Sequence, residues 1–287
     1  MPYQILILHR FHPTMPNVIQ NVAIMTKANS DEAYQTAKGV SKLLFEKKIN
    51  VFAILPLCGD KMTSVSAESV KDLGLDLILA IGGDGTTLKA FRIPPFHIPV
   101  LSINIGGHKG VLSELRSGSL DYIIESLILG NHFYDCRMRI QASIEGIKTS
   151  PALNDILLTR VSLTRTPLIS VTIMGDKIEE KMDGIIISTA TGSTGHSFSI
   201  GGPVMHESLR NIILSPLAPI NRLPFLVLPV EDVQIKSSHD TILTIDGQET
   251  HQILAGQKVT ISRFPIDACF LRMKKRGIRQ LEKLGFI

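Results

Sequence analysis

The sequence predicts an α/β domain with a mostly parallel sheet, followed by an all-β domain of sandwich type. Three observations carry this. Short apolar runs alternate with helical patterns in the first part of the chain. The composition then shifts, after Tyr134, to short β runs separated by turn residues. The basic tail returns to a helical pattern. Strand and helix in alternation imply a parallel sheet covered on its faces. Regularly spaced short strands imply a sandwich. The first domain is expected over residues 1–125, rejoined by the tail 271–287, and the second over 126–270.

The elements follow in order. Ile5–Leu8 reads as the first buried strand. Asn29 can cap a helix with Glu32 reaching back, and Ala33, Ala37, Val40 and Leu44 follow at helical spacing. Val51–Leu55 is a second strand, Ser66–Leu73 suits a short helix, and Leu75–Ile81 is a strand. That strand empties into Gly82-Gly83-Asp84-Gly85-Thr86, and Thr86 opens the next helix. Ile98–Ile103 is the strand after Pro94-Pro95. Strands of the second domain are expected at Met138–Ile144, Ile156–Thr159, Leu168–Met174, Gly184–Ser188, Phe225–Leu228, Thr241–Ile245 and Lys258–Ser262. The tail Arg272–Leu284 is expected to form a closing helix.

A hydrophobic content of 44% over 287 residues supports a real core. The net charge of +4 suits a phosphate-bearing small ligand as well as a nucleic acid. The absence of tryptophan and an aromatic content of 5% argue against a base-stacking platform, so no nucleic-acid partner is expected. Cys58, Cys136 and Cys269 lie far apart without metal-type spacing and read as reduced thiols in a cytoplasm. The apolar start lacks a basic leader region, and no apolar run is long enough to span a bilayer. A soluble cytoplasmic protein without a membrane partner is the expectation.

The Gly82–Thr86 turn is the most informative segment. Ligands of parallel sheets bind beyond the carboxyl ends of the strands, and a glycine-rich loop feeding a helix N-terminus suits phosphate. A carboxylate there repels phosphate unless it takes a proton from a hydroxyl or holds a cation, so both roles fit Asp84. The turn misses the dinucleotide fingerprint because Leu88 stands where the third glycine belongs, and no P-loop motif occurs. A plain strand-to-helix bend fits the spacing equally well. A second segment, Thr189–Ser197, is dense in hydroxyls and glycines after the apolar run Ile185–Ile187 and offers donors for phosphate or ribose. Asp246-Gly247 reads most simply as a hairpin turn, and Asn154-Asp155 as a turn. Asn104 to Gly110 is a glycine-rich loop at another strand end. The histidines form no metal set, and no metal-ligating residue is assigned.

Taken in order, these segments resemble the NAD kinase family. Gly82-Gly83-Asp84-Gly85-Thr86 matches its GGDGT motif and Asn154-Asp155 its Asn-Glu/Asp motif. Asp183-Gly184 leading into Thr189–His196, Ser199-Ile200-Gly201-Gly202-Pro203, Ser215–Pro219 and Asp246-Gly247-Gln248 match later landmarks. The resemblance covers about residues 75 to 250. It implies an α/β domain and a β domain with the site between them, and ATP-dependent phosphorylation of the adenosine ribose 2′-hydroxyl of NAD to NADP. NADH as acceptor and polyphosphate as donor stay open. Asp84 is then the catalytic residue, as base on the hydroxyl or as a magnesium-orienting group. Gly82, Gly83, Gly85 and Thr86 would approach phosphates. Asn154, Asp155, Asp183, Thr191, Thr194, Gly195, His196, Ser199, Ala218, Asp246 and Gln248 would contact nucleotide. Magnesium is expected with the phosphates, and a homodimer or tetramer with parts of the site shared between subunits. The chain departs from the family pattern at Ala190 (usually proline), Gly195 (alanine), His196 (tyrosine) and Val111 (phenylalanine). A lipid kinase of the diacylglycerol type, sharing the glycine turn, and a non-catalytic dinucleotide-binding protein are the alternatives.

Overall fold

The computed structural model describes residues 18–59, 62–105, 112–113, 115–116, 120–274 and 279–285. The expected strand Ile5–Leu8, the loop 106–110 and Val111 lie outside these residues. The first part contains β1 (Asn21–Thr26), α1 (Asp31–Glu46), β2 (Asn50–Ile54), β3 (Thr63–Val65), β4 (Leu77–Ile81), α2 (Asp84–Phe91), β5 (Val100–Asn104), β6 (Leu115–Arg116), α3 (Leu120–Ile128) and β7 (Phe133–Arg137). There follow β8 (Ile140–Ile144), β9 (Ile147–Ala152), β10 (Asp155–Arg160), β11 (Leu168–Ile173), β12 (Asp176–Lys181), β13 (Gly184–Thr189), α4 (His196–Ser199), β14 (Asn211–Leu217), β15 (Leu226–Pro229), β16 (Val233–Ser237), β17 (Thr241–Ile245), β18 (Glu249–Ile253) and β19 (Lys258–Arg263). The chain closes with β20 (Ala268–Arg272) and α5 (Arg279–Lys283).

The first sheet has eight strands in the order β3-β2-β1-β4-β5-β20-β7, with β6 beside β5. All its pairings are parallel except β20 with β7. Every residue of β4 is buried, as a strand covered on both faces requires. Helix α1 lays Ala33, Ala37, Val40 and Leu44 on this sheet. Its cap is Ser30, whose hydroxyl accepts from Ala33 N at 3.3 Å, with Asp31 and Glu32 in the first turn. The cap thus sits one residue beyond the expected Asn29, which adopts a left-handed conformation (φ 54°) instead. Ser66–Leu73 contains a 3₁₀ turn, Glu68–Asp72.

The second part is two six-stranded antiparallel sheets, β15-β14-β13-β10-β17-β18 and β12-β11-β16-β19-β8-β9. Ile156, Ile185, Ile187 and Leu243 of one face Ile169, Val171, Ile235 and Val259 of the other in one apolar core. The expected α/β plus β-sandwich class is therefore the observed one. Helix α3 crosses residues 125 and 126, and β7 and β20 complete the first sheet. The expected closing helix at Arg272–Leu284 is corrected. Arg272 ends the buried strand β20, and among the described residues of the tail the helix is Arg279–Lys283.

A second correction concerns the thiols. Cys136 and Cys269 face each other in the β7–β20 register and form a disulfide, while Cys58 is a free exposed cysteine. A sequence separation of 133 residues hid the pairing. No helix among the described residues is long and apolar enough to cross a membrane.

Arg139, fully buried between the two parts, bridges them. Its guanidinium donates to Phe91 O (2.8 Å) and Phe96 O (2.8 Å) on one side, and to Ile266 O (2.9 Å) and Asp267 O (3.3 Å) on the other.

Candidate active site

The site begins where β4 ends. Gly82 N donates to Ile103 O of the neighbouring strand at 3.0 Å, which brings the turn to the sheet edge. Helix α2 starts at Asp84, not at the expected Thr86, with Gly83 as its N-cap residue. Asp84 therefore stands in the first turn, where amide groups point outward. Its Oδ1 accepts from Leu112 N at 3.2 Å. Thr87 anchors the turn from below, with its hydroxyl 2.5 Å from that of Ser102 on β5.

The two leading glycines have different reasons. A Cβ on Gly82 would lie 2.3 Å from Thr86 Oγ1 and 3.1 Å from Lys27 Cβ, so the fold itself excludes a side chain there. A Cβ on Gly83 would meet nothing within 4 Å, and its φ of −93° is open to any residue. The fold does not need a glycine at 83. The backbone there is open to the close approach of a ligand.

The second cluster assembles on the β-sandwich. Thr189, at the end of β13, donates through its N–H to Asn154 O (2.8 Å) and through its hydroxyl to Leu153 O (2.5 Å). The 3₁₀ turn Thr191–Thr194 then folds over Asn154 so tightly that a Cβ on Gly192 would lie 2.1 Å from Asn154 O. Gly195 faces Asp155, whose Oδ2 lies 3.7 Å from the position of a Cβ there. Thr191 and Thr194 are buried, whereas His196 and Ser199 of α4 are exposed. Ala190 is buried against Met205 and Ile213 with φ −59°, the value a proline ring would impose.

The hairpin Ile245–Gln248 joins the two clusters. Asp246 and Gly247 are both left-handed (φ 50° and 66°), and Gln248 N donates to Ile245 O at 2.9 Å, as an Asp-Gly turn requires. The Asp246 carboxylate accepts from the amides of Leu153 (3.0 Å), Asn154 (2.7 Å) and Asp155 (3.2 Å). Gln248 Nε2 donates to Gly85 O at 3.0 Å, and its Oε1 accepts from Arg92 at the end of α2. Arg92 was not among the residues singled out from sequence. Its only signal there is its place one helix length beyond Asp84.

Asp183 and Ala218 are elsewhere. Asp183 precedes β13, and Thr189 ends it, so they stand about 20 Å apart. Asp183 pairs with Arg160 at 2.9 Å and donates through its N–H to Leu217 O, next to Ala218. Val161, Leu163 and Ile220 are exposed around that end, Leu163 at 84%. Within one chain the site residues thus form two groups.

Electrostatics separate the two buried acids. Burial, and then the Asp246 charge, push Asp155 up to about 7. Burial also raises Asp246, while the three amides and Arg92 offset part of that rise. Burial and the neighbouring Asp246 therefore keep the proton on Asp155 up to about neutral pH. Asp155 has an ordinary value of 3.8 when unfolded. The folded chain binds a proton that the unfolded chain releases, so stability falls as pH rises from about 4 through 7. We expect the unliganded protein to lose about 2–3 kcal/mol from this group between pH 5 and pH 8. Asp155→Asn should flatten that slope in urea unfolding, and equal slopes would refute the assignment.

Comparison with known proteins places this geometry. Residues 22–132 match the model of the ATP-NAD kinase N-terminal domain and residues 153–273 that of the ATP-NAD kinase C-terminal domain. The chain is 32% identical over 219 residues to a protein named NAD kinase from Thermococcus sibiricus, covering 75% of this chain and 79% of that one. It is 28% identical over 282 residues to the NAD kinase of Natranaerobius thermophilus, covering 93% and 98%. In fold it is similar to yeast NADH kinase complexed with NADH, with TM-score 0.85, 21% identity and coverage of 94% and 88%. It is also similar in fold to an NAD kinase from Archaeoglobus fulgidus in complex with ATP, with TM-score 0.77, 23% identity and coverage of 93% and 100%. With both domain models matched in order and this identity sustained over most of a relative's length, the chain belongs to the NAD kinase family.

Proposed function

We propose that this protein is an NAD kinase that phosphorylates the adenosine ribose 2′-hydroxyl of NAD with ATP. The observation that carries the reading is the open backbone at Gly83 beside Asp84, at the start of α2. Triphosphate oxygens would meet the amides of this turn. Asp84 would take the proton of the 2′-hydroxyl as that oxygen bonds the γ-phosphorus, and the bond to the bridging oxygen breaks to release ADP. NAD would lie across Asn154, Asp155, Thr191, Thr194, Gly195, His196 and Ser199. Asp246 and Gln248 would line the same turn region.

Among the described residues no group of three His, Cys, Asp or Glu side chains could hold a metal ion by itself. Magnesium would be carried by phosphate oxygens and water, with Asp84 as the carboxylate that orients it. Magnesium would neutralise charge on the transferring phosphoryl group. Asp183 and Ala218, with exposed Val161, Leu163 and Ile220 beside them, would complete the site of a neighbouring copy in a homo-oligomer. A cytoplasmic location is part of this reading. The diacylglycerol kinase alternative shares only the glycine turn and leaves the Thr189–Ser199 cluster without a role.

The test is NADP formation from NAD, ATP and magnesium, repeated with NADH and with polyphosphate. Gly83→Ala should melt as the wild type does and raise the KM for ATP roughly tenfold or more. No NADP from the wild type would overturn the function. An unchanged KM in Gly83→Ala would move the phosphate site elsewhere.

A further inference from the structure

The Asp246–Gln248 hairpin faces the β domain with one side chain and the α/β domain with the other. Asp246 collects three consecutive amides, of Leu153, Asn154 and Asp155. Gln248 reaches α2 at both ends, through Gly85 O near its start and Arg92 at its finish. The amide has one orientation that works. Oε1 must face the guanidinium and Nε2 the carbonyl, since the flipped group would set donor against donor and acceptor against acceptor. Gly85 is packed against this amide, with a Cβ position 3.3 Å from Nε2. Arg92 Nη1 is buried with no hydrogen-bond partner among the described residues, and the guanidinium is held through its other amino group by Gln248 and by the nearby Asp246 charge.

We infer that Gln248 is a positioning residue, which sets Asp84 relative to Asn154 and Asp155 by fixing α2 to the hairpin that Asp246 anchors. It acts through Gly85, the residue after Asp84, in place of the nucleotide contact that the family resemblance implies for it. Two fragments of a site on separate domains need such a gauge, because displacement by 1 Å is enough to cost about a hundredfold in rate. The turnover consequence rests on the kinase reading above; the mechanical link does not.

Gln248→Ala and Gln248→Glu separate the two bonds. Glutamate keeps an acceptor for Arg92 but sets an oxygen against Gly85 O. Both variants should lower kcat by roughly tenfold to hundredfold with the NAD dissociation constant, by calorimetry, within about twofold of wild type. Wild-type kcat in Gln248→Glu, or a weakened NAD affinity with kcat unchanged, would overturn the inference. Hydrogen exchange of the α2 amides needs no turnover. It should quicken about tenfold in Gln248→Ala without a fall in Tm, and unchanged exchange overturns the link even in a preparation that makes no NADP.

Discussion

Asp84→Asn should reduce turnover by about 10² to 10⁴, the range a positioned base contributes. The amide is isosteric and keeps an oxygen for Leu112 N, the partner that Asp84 Oδ1 holds at 3.2 Å. The helix start and the open Gly83 backbone are untouched, so Tm and NAD affinity should stay at wild-type values. Asparagine cannot take the 2′-hydroxyl proton and holds magnesium poorly. Steady-state NADP production together with NAD titration calorimetry checks both halves. Near wild-type kcat would remove Asp84 from the chemistry, and a large loss of NAD affinity would make it a binding group.

The largest effect on stability is expected at Arg139. Its guanidinium is fully buried and stacks 4.9 Å from the Phe264 ring centroid while serving four backbone carbonyls. Burial lowers its pKa to about 10, which leaves it charged at neutral pH. Arg139→Met retains much of the volume but strands the carbonyls of Phe91, Phe96 and Ile266 without their donor. The expected loss is about 3–5 kcal/mol. Arg139→Lys keeps the charge with fewer, differently aimed donors and should fall between. Urea unfolding monitored by far-UV circular dichroism measures both. A loss below about 1 kcal/mol in Arg139→Met would mean that water replaces the guanidinium.

Much of the fold was legible where burial is simple. Leu77–Ile81 and Ile185–Ile187 are continuous apolar runs because both strands are interior. Strands that escaped sequence reading have identifiable reasons. Asp176–Lys181 is an edge strand whose side chains are charged except for Ile178. Asn211–Leu217 contains Pro216, which stands opposite Ile185 of β13 but lies beyond the end of β15, whose pairing stops at Leu214. Ile147–Ala152 carries Pro151, tolerated because this strand is also at an edge. In the site, the glycine turn and the Thr189–His196 segment were legible as local motifs. The Asp246 contacts, the Gln248 link and Arg139 were not, because each joins residues 43 to 163 positions apart, in all but the Arg92–Gln248 bond through a backbone group that no side-chain pattern encodes.

The return of β20 into the first sheet has a consequence for how the molecule comes into being. The strand lies between β5 and β7, yet it is made after the whole sandwich. During synthesis, the Val100 end of β5, which β6 does not cover, therefore waits with an open edge until the sandwich has been made. The sandwich, whose strands are contiguous in the chain, can close on its own and draw the last strand home. The α/β half is therefore completed after the sandwich, and the sheet that carries the Gly82–Thr86 turn is whole only once β20 has joined it.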